Sequence, residues 1–346
     1  VTSFSQGATN KDTSKSTPLV SIIMPILNEE KYLARCLQTV VEQDYPPDKL
    51  EILVVDGLSD DRSREIVAEF MTRFPQIKLL DNPKRSIPAA MNIGIRSAKG
   101  EVIVRVDGHC FLARDYVSQC LRHLQETGAA NVGGPAWAIG EGYVGEAIPM
   151  ALGSPFGHGG SQFRYAQQEQ YVDTVFLGAF RRDLFDQIGF YDEGLLCAED
   201  YELNYRLRAA NGKILLTPQI RVRYIARHSL VKFGKQYFRY GFWRMLVIKK
   251  HPRALRWRHL ATAGFVLTLL VGGVAGLFSF EFKILFLIVF LSYLAAASFF
   301  SILLAWRQGW RYLPILPVIF AILHLSWGSG FLWGLVRRCL RRVGFR

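Results

Sequence analysis

Three apolar stretches, 260–280, 284–306 and 313–336, restrict this chain more than anything else in it. Each holds about 20 residues or more, and about 1.5 Å of helical rise per residue carries such a stretch across a hydrocarbon core of about 30 Å. Lipid offers no partner for backbone N–H and C=O groups, so a helix is the form open to a single spanning segment. The first two stretches carry no charge, and the short link Glu281-Phe282-Lys283 makes them a hairpin. The third is interrupted. Pro314 and Pro317 lie near its start, and His324-Leu325-Ser326-Trp327-Gly328-Ser329-Gly330 breaks its middle. It is followed by Arg337, Arg338, Arg341, Arg342 and Arg346, and short arginine-rich ends favour the cytosolic side. Three full crossings from a cytosolic front domain would put that end outside. The expectation is therefore a re-entrant third segment that turns near Ser326 to Gly330, with His324 as a buried structural residue.

Charge divides the chain in the same place. The net charge is +13, yet residues 221–258 hold twelve Lys/Arg and no Asp/Glu, the residues beyond 260 add +7, and residues 1–220 are left at −6. Large aromatics (Phe233, Tyr237, Phe238, Tyr240, Phe242, Trp243, Trp257) alternate with the cations. A basic aromatic segment beside apolar spans reads as interfacial helices over 226–259, lying on anionic lipid. In isolation it would also suit nucleic acid, but an acidic front half joined to apolar spans argues against that partner. The five cysteines are odd in number, widely spaced and form no C-x-x-C, which fits reduced thiols facing a cytosol. Residues 1–18 are rich in Ser, Thr, Asn and Lys with no apolar run, and read as a disordered lead-in rather than a signal peptide.

Residues 19–225 alternate apolar runs with helical periodicity. Leu19 to Pro25, Glu51 to Asp56, Ile77 to Leu80 and Val102 to Asp107 read as strands. Leu33, Leu37, Val40 and Val41, then Ile66, Val67, Phe70 and Phe74, then 87–98 mark the helices between them. Such alternation means βαβ units, hence an α/β domain with a mostly parallel sheet. Glu29, Asp56 and Asp107 then stand at the carboxyl edge of that sheet, where open α/β sheets bind ligands. Neither G-x-G-x-x-G nor G-x-x-x-x-G-K-[ST] occurs, so the dinucleotide and P-loop fingerprints are missing. Asp107-Gly108-His109 offers a carboxylate and an imidazole to one divalent metal, although a turn Asp beside a surface His would look the same. Lys84 and Arg85, in a loop before a helix, serve equally as phosphate contacts or as a solvated pair. Residues 131–164, dense in glycine, read as loops able to fold over a substrate. Glu199 and Asp200 open a helix, where acids are favoured by the dipole whatever their function.

Taken in order, Val20-Ser21-Ile22-Ile23-Met24-Pro25-Ile26-Leu27-Asn28-Glu29, Val54-Val55-Asp56-Gly57, Ala90-Met91-Asn92, Val106-Asp107-Gly108-His109, Gly178-Ala179-Phe180-Arg181-Arg182, Ala198-Glu199-Asp200-Tyr201-Glu202 and Gln236-Tyr237-Phe238-Arg239-Tyr240 resemble the family 2 glycosyltransferases. The nearest branch is that of the ExoA-like succinoglycan glucosyltransferases. The resemblance implies a GT-A fold, a nucleotide-diphosphate sugar as donor and a lipid-linked saccharide as acceptor. It implies that Pro25, Asn28 and Glu29 line the uridine and ribose, and that Asp56 holds the uracil edge. Asp107, with His109, would bind a Mg or Mn ion bridging the two phosphates. Lys84, Arg85, Arg227 and Arg239 would reach the diphosphate. Gly178, Ala179, Gln236 and Tyr240 would face the acceptor, and Asp200, with Glu199 beside it, would be the base of an inverting transfer. The chain departs from the family pattern at Leu27, where an aromatic usually stacks on uracil, at His109, where a second Asp is usual, and at Tyr240, where Trp is usual. The expectation is a metal-dependent transferase of polysaccharide biosynthesis, multi-pass in the inner (plasma) membrane with its catalytic domain cytosolic. It would move a hexose from UDP to a polyprenyl-diphosphate-linked saccharide. Transfer to polyprenyl phosphate itself, and a catalytically silent membrane scaffold, are the alternatives.

Overall fold

A computed structural model describes residues 17–159, 162–164, 166–226 and 228–342. The expectation for residues 1–18 falls almost wholly outside this range, as does the assignment of Arg227.

Strands β1 (Val20–Ile26), β2 (Leu50–Asp56) and β4 (Val102–Arg105) are buried at every position, which is why they read as near-continuous apolar runs. With β3 (Ile77–Asp81) they form a parallel block in the order β3-β2-β1-β4. Helices α1 (Glu30–Val41), α2 (Ser63–Arg73) and α3 (Ile87–Ser97) make the crossovers. On α1 the buried residues are Leu33, Cys36, Leu37 and Val40, the stripe that the periodicity predicts. Helix α3 lies close to β1 at Gly94, where a Cβ would come within 2.4 Å of Ile23.

Beyond β4 the chain adds β5 (Cys110–Leu112), α4 (Tyr116–Thr127), β6 (Asn131–Gly133), β7 (Ala136–Ile139), α5 (Gly142–Leu152), α6 (Pro155–His158) and β8 (Gln170–Tyr171). There follow β9 (Ala179–Arg181), α7 (Leu184–Ile188), α8 (Glu199–Ala209), β10 (Ile214–Leu216) and β11 (Val222–Ile225). The main sheet continues as β4-β9-β6-β10-β8, with β9 antiparallel to both neighbours. A small second sheet, β5-β11-β7, flanks it. The glycine-dense stretch is thus more ordered than a loop. Ala147, Ile148, Ala151 and Leu152 of α5 are buried in an apolar cluster that also holds Leu316, Ile319 and Phe320, and this contact gives the stretch its helix.

Helix α9 (Leu230–Lys250) takes up most of the basic aromatic segment. Helices α10 (Trp257–Ala275), α11 (Phe280–Gln308) and α12 (Leu316–Arg342) follow, and all three are long and apolar enough to cross a membrane by length and composition. The α10–α11 turn falls at 276–279, ahead of the Glu281-Phe282-Lys283 link taken for it. Gly272 and Gly276 bring α10 against Phe286 and Lys283 there, closing the hairpin early.

The expected break in the third segment is absent, for α12 runs as one helix through Ser326 to Gly330. The small residues form a seam instead. A Cβ on Gly330 would lie 2.0 Å from the Phe238 carbonyl oxygen, and one on Gly241 would lie 1.9 Å from that of Trp327. Gly234 faces Ile322 and Ser326, and Gly334 faces Met245. Helices α9 and α12 therefore run parallel, with their backbones in close approach. Gly328 does the same toward α10, beside Thr262 and Val266. His324 is structural, as expected: its ring nitrogens meet the Tyr293 hydroxyl at 3.1 Å and the Phe156 carbonyl at 3.0 Å.

Candidate active site

The loops after β1 and β2 are stitched together before any ligand arrives. Asn28, at φ +56°, accepts from the Asp60 amide at 2.8 Å, and its own amide donates to the Ser59 hydroxyl at 2.9 Å. Asp56 is fully buried beneath that loop. Its carboxylate accepts from the Ser59 hydroxyl at 2.5 Å, the Ser59 amide at 3.1 Å and the Arg64 guanidinium at 2.8 Å. This set differs from the role the resemblance gave it, because in this conformation Asp56 holds the loop rather than presenting an edge to a base. Pro25 is likewise buried within β1, paired with Val55. Leu27 is exposed beside Gly57, an apolar surface where the family has an aromatic. On the rim, Lys84 pairs with Glu193 at 2.6 Å and Arg85 with Asp60 at 2.9 Å, so both cations already have carboxylate partners.

The centre is organised by a residue the sequence reading passed over. Arg105 ends β4, only 6% exposed. Its Nε donates to Asp107 Oδ1 at 2.8 Å, and its Nη1 donates to Glu199 Oε1 at 3.1 Å. Its backbone N–H donates to the Gly178 carbonyl at 3.1 Å. Gly178 adopts φ +100°, and a Cβ there would sit 2.7 Å from Asn131 Oδ1, so a side chain is excluded. Ala179, expected at the acceptor, is fully buried in β9 and belongs to the core. The signal for Arg105 was present: a lone cation inside Val102-Ile103-Val104-Arg105-Val106 must find a buried carboxylate.

Asp107 and Glu199 compete for that one cation. Burial pushes the Glu199 carboxyl up to about 7, against the pull of Arg105, while neighbouring Asp200 adds to the rise. Glu199 is 5% exposed and Asp200 is partly exposed. Asp200 Oδ1 accepts from the Tyr201 amide at 2.7 Å at the start of α8, and Ala198 ahead of it is held at φ +62°. A non-glycine residue in that region marks a backbone over-determined by its surroundings.

Helix α9 packs beside α8. Gln236 donates to the Tyr240 hydroxyl at 2.9 Å. Arg239 is exposed, and its charge and that of Arg244 reach the Cys197 thiol just ahead of the acid pair. Arg244, also unforeseen, stacks on the Tyr201 ring at 3.4 Å. At its far end α9 is braced by Glu202, fully buried, which accepts from Lys250 at 2.7 Å and contacts His251 at 2.8 Å.

Among the described residues no group of three or more His, Cys, Asp and Glu gathers to hold a metal unaided. A hard cation that completes its sphere with phosphate oxygens needs only one or two protein ligands. Asp107 and His109 suit that case. Glu29 Oε1 holds His109 Nδ1 at 2.9 Å, the carboxylate–imidazole pairing that orients metal-binding histidines.

Residues 21–189 match the model for glycosyl transferase family 2. A dolichyl N-acetyl-α-D-glucosaminyl phosphate 3-β-D-2,3-diacetamido-2,3-dideoxy-β-D-glucuronosyltransferase of Methanococcus voltae is 30% identical over 92% of this chain and 97% of its own length. The succinoglycan biosynthesis protein ExoA of Rhizobium meliloti is 28% identical over 93% and 96%. Among solved structures, a mannosyltransferase of Pyrobaculum calidifontis in complex with GDP-Man and Mn²⁺ superposes with a TM-score of 0.59. It is 19% identical and the match covers 92% of this chain and 88% of that one. With the acid edge, the mixed sheet and near full-length relatives all agreeing, the chain belongs to glycosyltransferase family 2, in its GT-A fold and its ExoA-like branch.

Proposed function

We propose that this protein is a membrane-bound, inverting transferase. It moves a hexose from a nucleotide-diphosphate sugar, a UDP-hexose by the sequence resemblance, to a polyprenyl-diphosphate-linked saccharide. The observation that carries the reading is Arg105, which ties the metal-edge carboxylate Asp107 to the acid pair opening α8. The Methanococcus relative, whose name gives a lipid-linked sugar as its acceptor, supports the acceptor class.

In the step, the acceptor hydroxyl oxygen bonds to the anomeric carbon and the bond from that carbon to the diphosphate oxygen breaks. The electron pair leaves on the diphosphate and the hydroxyl proton passes to Asp200. Attack opposite the leaving group inverts the anomeric configuration. Asp200 is the base because it is the more exposed of the pair, whereas Glu199 is buried and committed to Arg105. Glu199 thus positions Arg105, and through it Asp107. When bound at Asp107 and His109, a Mg or Mn ion supplies charge compensation for the leaving diphosphate. In this reading Arg239 meets the diphosphate, and Gln236 and Tyr240 meet the acceptor. The catalytic domain faces the cytosol, with anionic lipid beneath the basic helix α9.

The test is Asp200→Asn, assayed with a donor panel in native membranes and mass spectrometry of the lipid fraction. Loss of a general base costs about 10²–10⁴-fold in rate, with donor binding retained. Near wild-type turnover in this variant would move the base elsewhere. A product of one hexose on polyprenyl phosphate would favour the alternative acceptor, and no donor turnover by the wild type would favour a scaffold.

A further inference from the structure

Three helices here meet the length and composition of a membrane span, but the third is the most enclosed of them, with 39% of its spanning stretch buried against 22% in α10 and 11% in α11. From its first turn α12 lies on the catalytic domain. Leu316, Ile319, Phe320 and Leu323 pack with Ala147, Ile148, Ala151 and Leu152 of α5. His324 Nε2–H donates to the Phe156 backbone carbonyl of α6 at 3.0 Å. Farther on, Phe331 shares a cluster with Leu195 and with Tyr201 of the catalytic helix α8. Gly330 and Gly334 meet α9 at Phe238 and Met245. Over Leu316 to Gly334, about 27 Å at 1.5 Å per residue, the contacts pass from α5 and α6 to α10 at Gly328 and to α9 at Gly330 and Gly334.

Helix α9 cannot follow α12 through lipid. It runs parallel to α12, with Arg239 beside the seam, and it is fixed to the catalytic domain by Arg244 on Tyr201 and by Lys250 on Glu202. A crossing by α12 would draw these charges and the catalytic helix to bilayer depth. Among the described residues of α12 the exposed large apolar side chains are Val318, Leu325, Trp333, Leu335 and Val336, and all but Leu335 fall along one face at helical spacing. A one-sided apolar stripe with tryptophan on it, ending in arginines, is the composition of a helix at a lipid–water boundary.

We propose that α12 does not cross the bilayer. It is a surface-lying helix whose stripe rests on lipid, with its C-terminal end on the same side as the catalytic domain. The inserted element is then the turn end of the α10–α11 hairpin, because Leu304 and Ala305 of α11 share the α5 cluster and its Phe300 stacks on Phe156. This returns the arginines at 337–342 to the catalytic side without any break in the helix, and it holds whichever compartment the catalytic domain faces.

The test uses the full chain in phosphatidylethanolamine–phosphatidylglycerol vesicles. Nitroxide labels at Val318→Cys, Leu325→Cys and Val336→Cys, with the other cysteines replaced by Ala, report depth from collision with oxygen and with an aqueous nickel chelate. The expected result is that Leu325 is no deeper than both of its companions. A depth maximum at Leu325, near the bilayer centre, would overturn the proposal. Labels shielded from both reagents would place protein on the stripe and would overturn it too. A second measurement needs no substitution. An impermeant maleimide, applied to sealed vesicles of known orientation, should label native Cys339 from the side on which protease cuts the catalytic domain, as read by peptide mass. Labelling from the opposite side would establish a crossing.

Discussion

At the scale of single residues, one guanidinium serves two carboxylates. The consequence for titration can be signed. Folded Glu199 takes up a proton near pH 7, against an ordinary value of 4.5. Between those two values the folded chain holds more protons than the unfolded one, so stability falls as pH rises through that window. This contribution is fully present below about pH 4.5 and gone above about pH 7. Thermal unfolding of ligand-free protein across pH 4.5–7 should show the slope, and Glu199→Gln should flatten it. An unchanged slope in that variant would assign the proton elsewhere. The metal edge gives a second expectation. Asp107→Ala should abolish transfer, while His109→Asp should retain part of it with an altered preference between Mg and Mn, because an imidazole and a carboxylate differ in hardness and charge. Since protons compete for an imidazole ligand, metal affinity in the wild type should also fall on acidification. Full activity after exhaustive chelation would remove the metal from the reading.

At the scale of elements, the α9–α12 seam explains why small residues recur where a membrane helix would ordinarily carry bulk. The atoms that a Cβ on Gly330 or Gly241 would meet are backbone carbonyls, which cannot swing aside as a side chain does. Gly330→Ala should force the two helices apart and cost about 1–3 kcal/mol, the usual range for overpacking. Gly264→Ala, where a Cβ meets nothing within 4 Å, is the matched control and should keep thermal stability in detergent or raise it by up to about 1 kcal/mol. Equal stabilities for the two variants would argue against the seam. The same element shows where sequence reading succeeds and fails. Strands such as β1 and β2 are legible because burial on both faces leaves a local record, an unbroken apolar run. Ser326 to Gly330 was misread because polar and small residues inside an apolar helix look alike whether the chain bends there or meets a neighbour. The neighbour, α9, lies far upstream, so no local window contains the deciding fact. Arg105 leaves a local trace, a lone cation in an apolar strand with Asp107 two residues on, but its second partner, Glu199, reaches it only once β4 and α8 are in place.

At the scale of the whole molecule, the catalytic helix α8, the aromatic helix α9 and the apolar helix α12 form a braced stack, held by Arg244 on Tyr201, by Lys250 and His251 on Glu202 and by the glycine seam. Such a stack has a fixed thickness. Packed helices stand about 8–10 Å apart, and glycine contacts draw them toward the lower figure. With α12 at the lipid surface, the acid pair stands about one helix layer above it. The site then works as a height gauge. An acceptor hydroxyl carried directly on the lipid phosphate lies below the gauge, and one at the tip of a long glycan lies above it. A ladder of lipid-linked acceptors that differ only in sugar number should therefore give a peaked rather than a rising rate, its optimum at one or a few residues. A rate independent of acceptor length would mean that the stack breathes. Insertion of a flexible linker after Ala226 should broaden the peak, and because it also loosens Arg239 of α9 from the donor, the donor KM should rise with it.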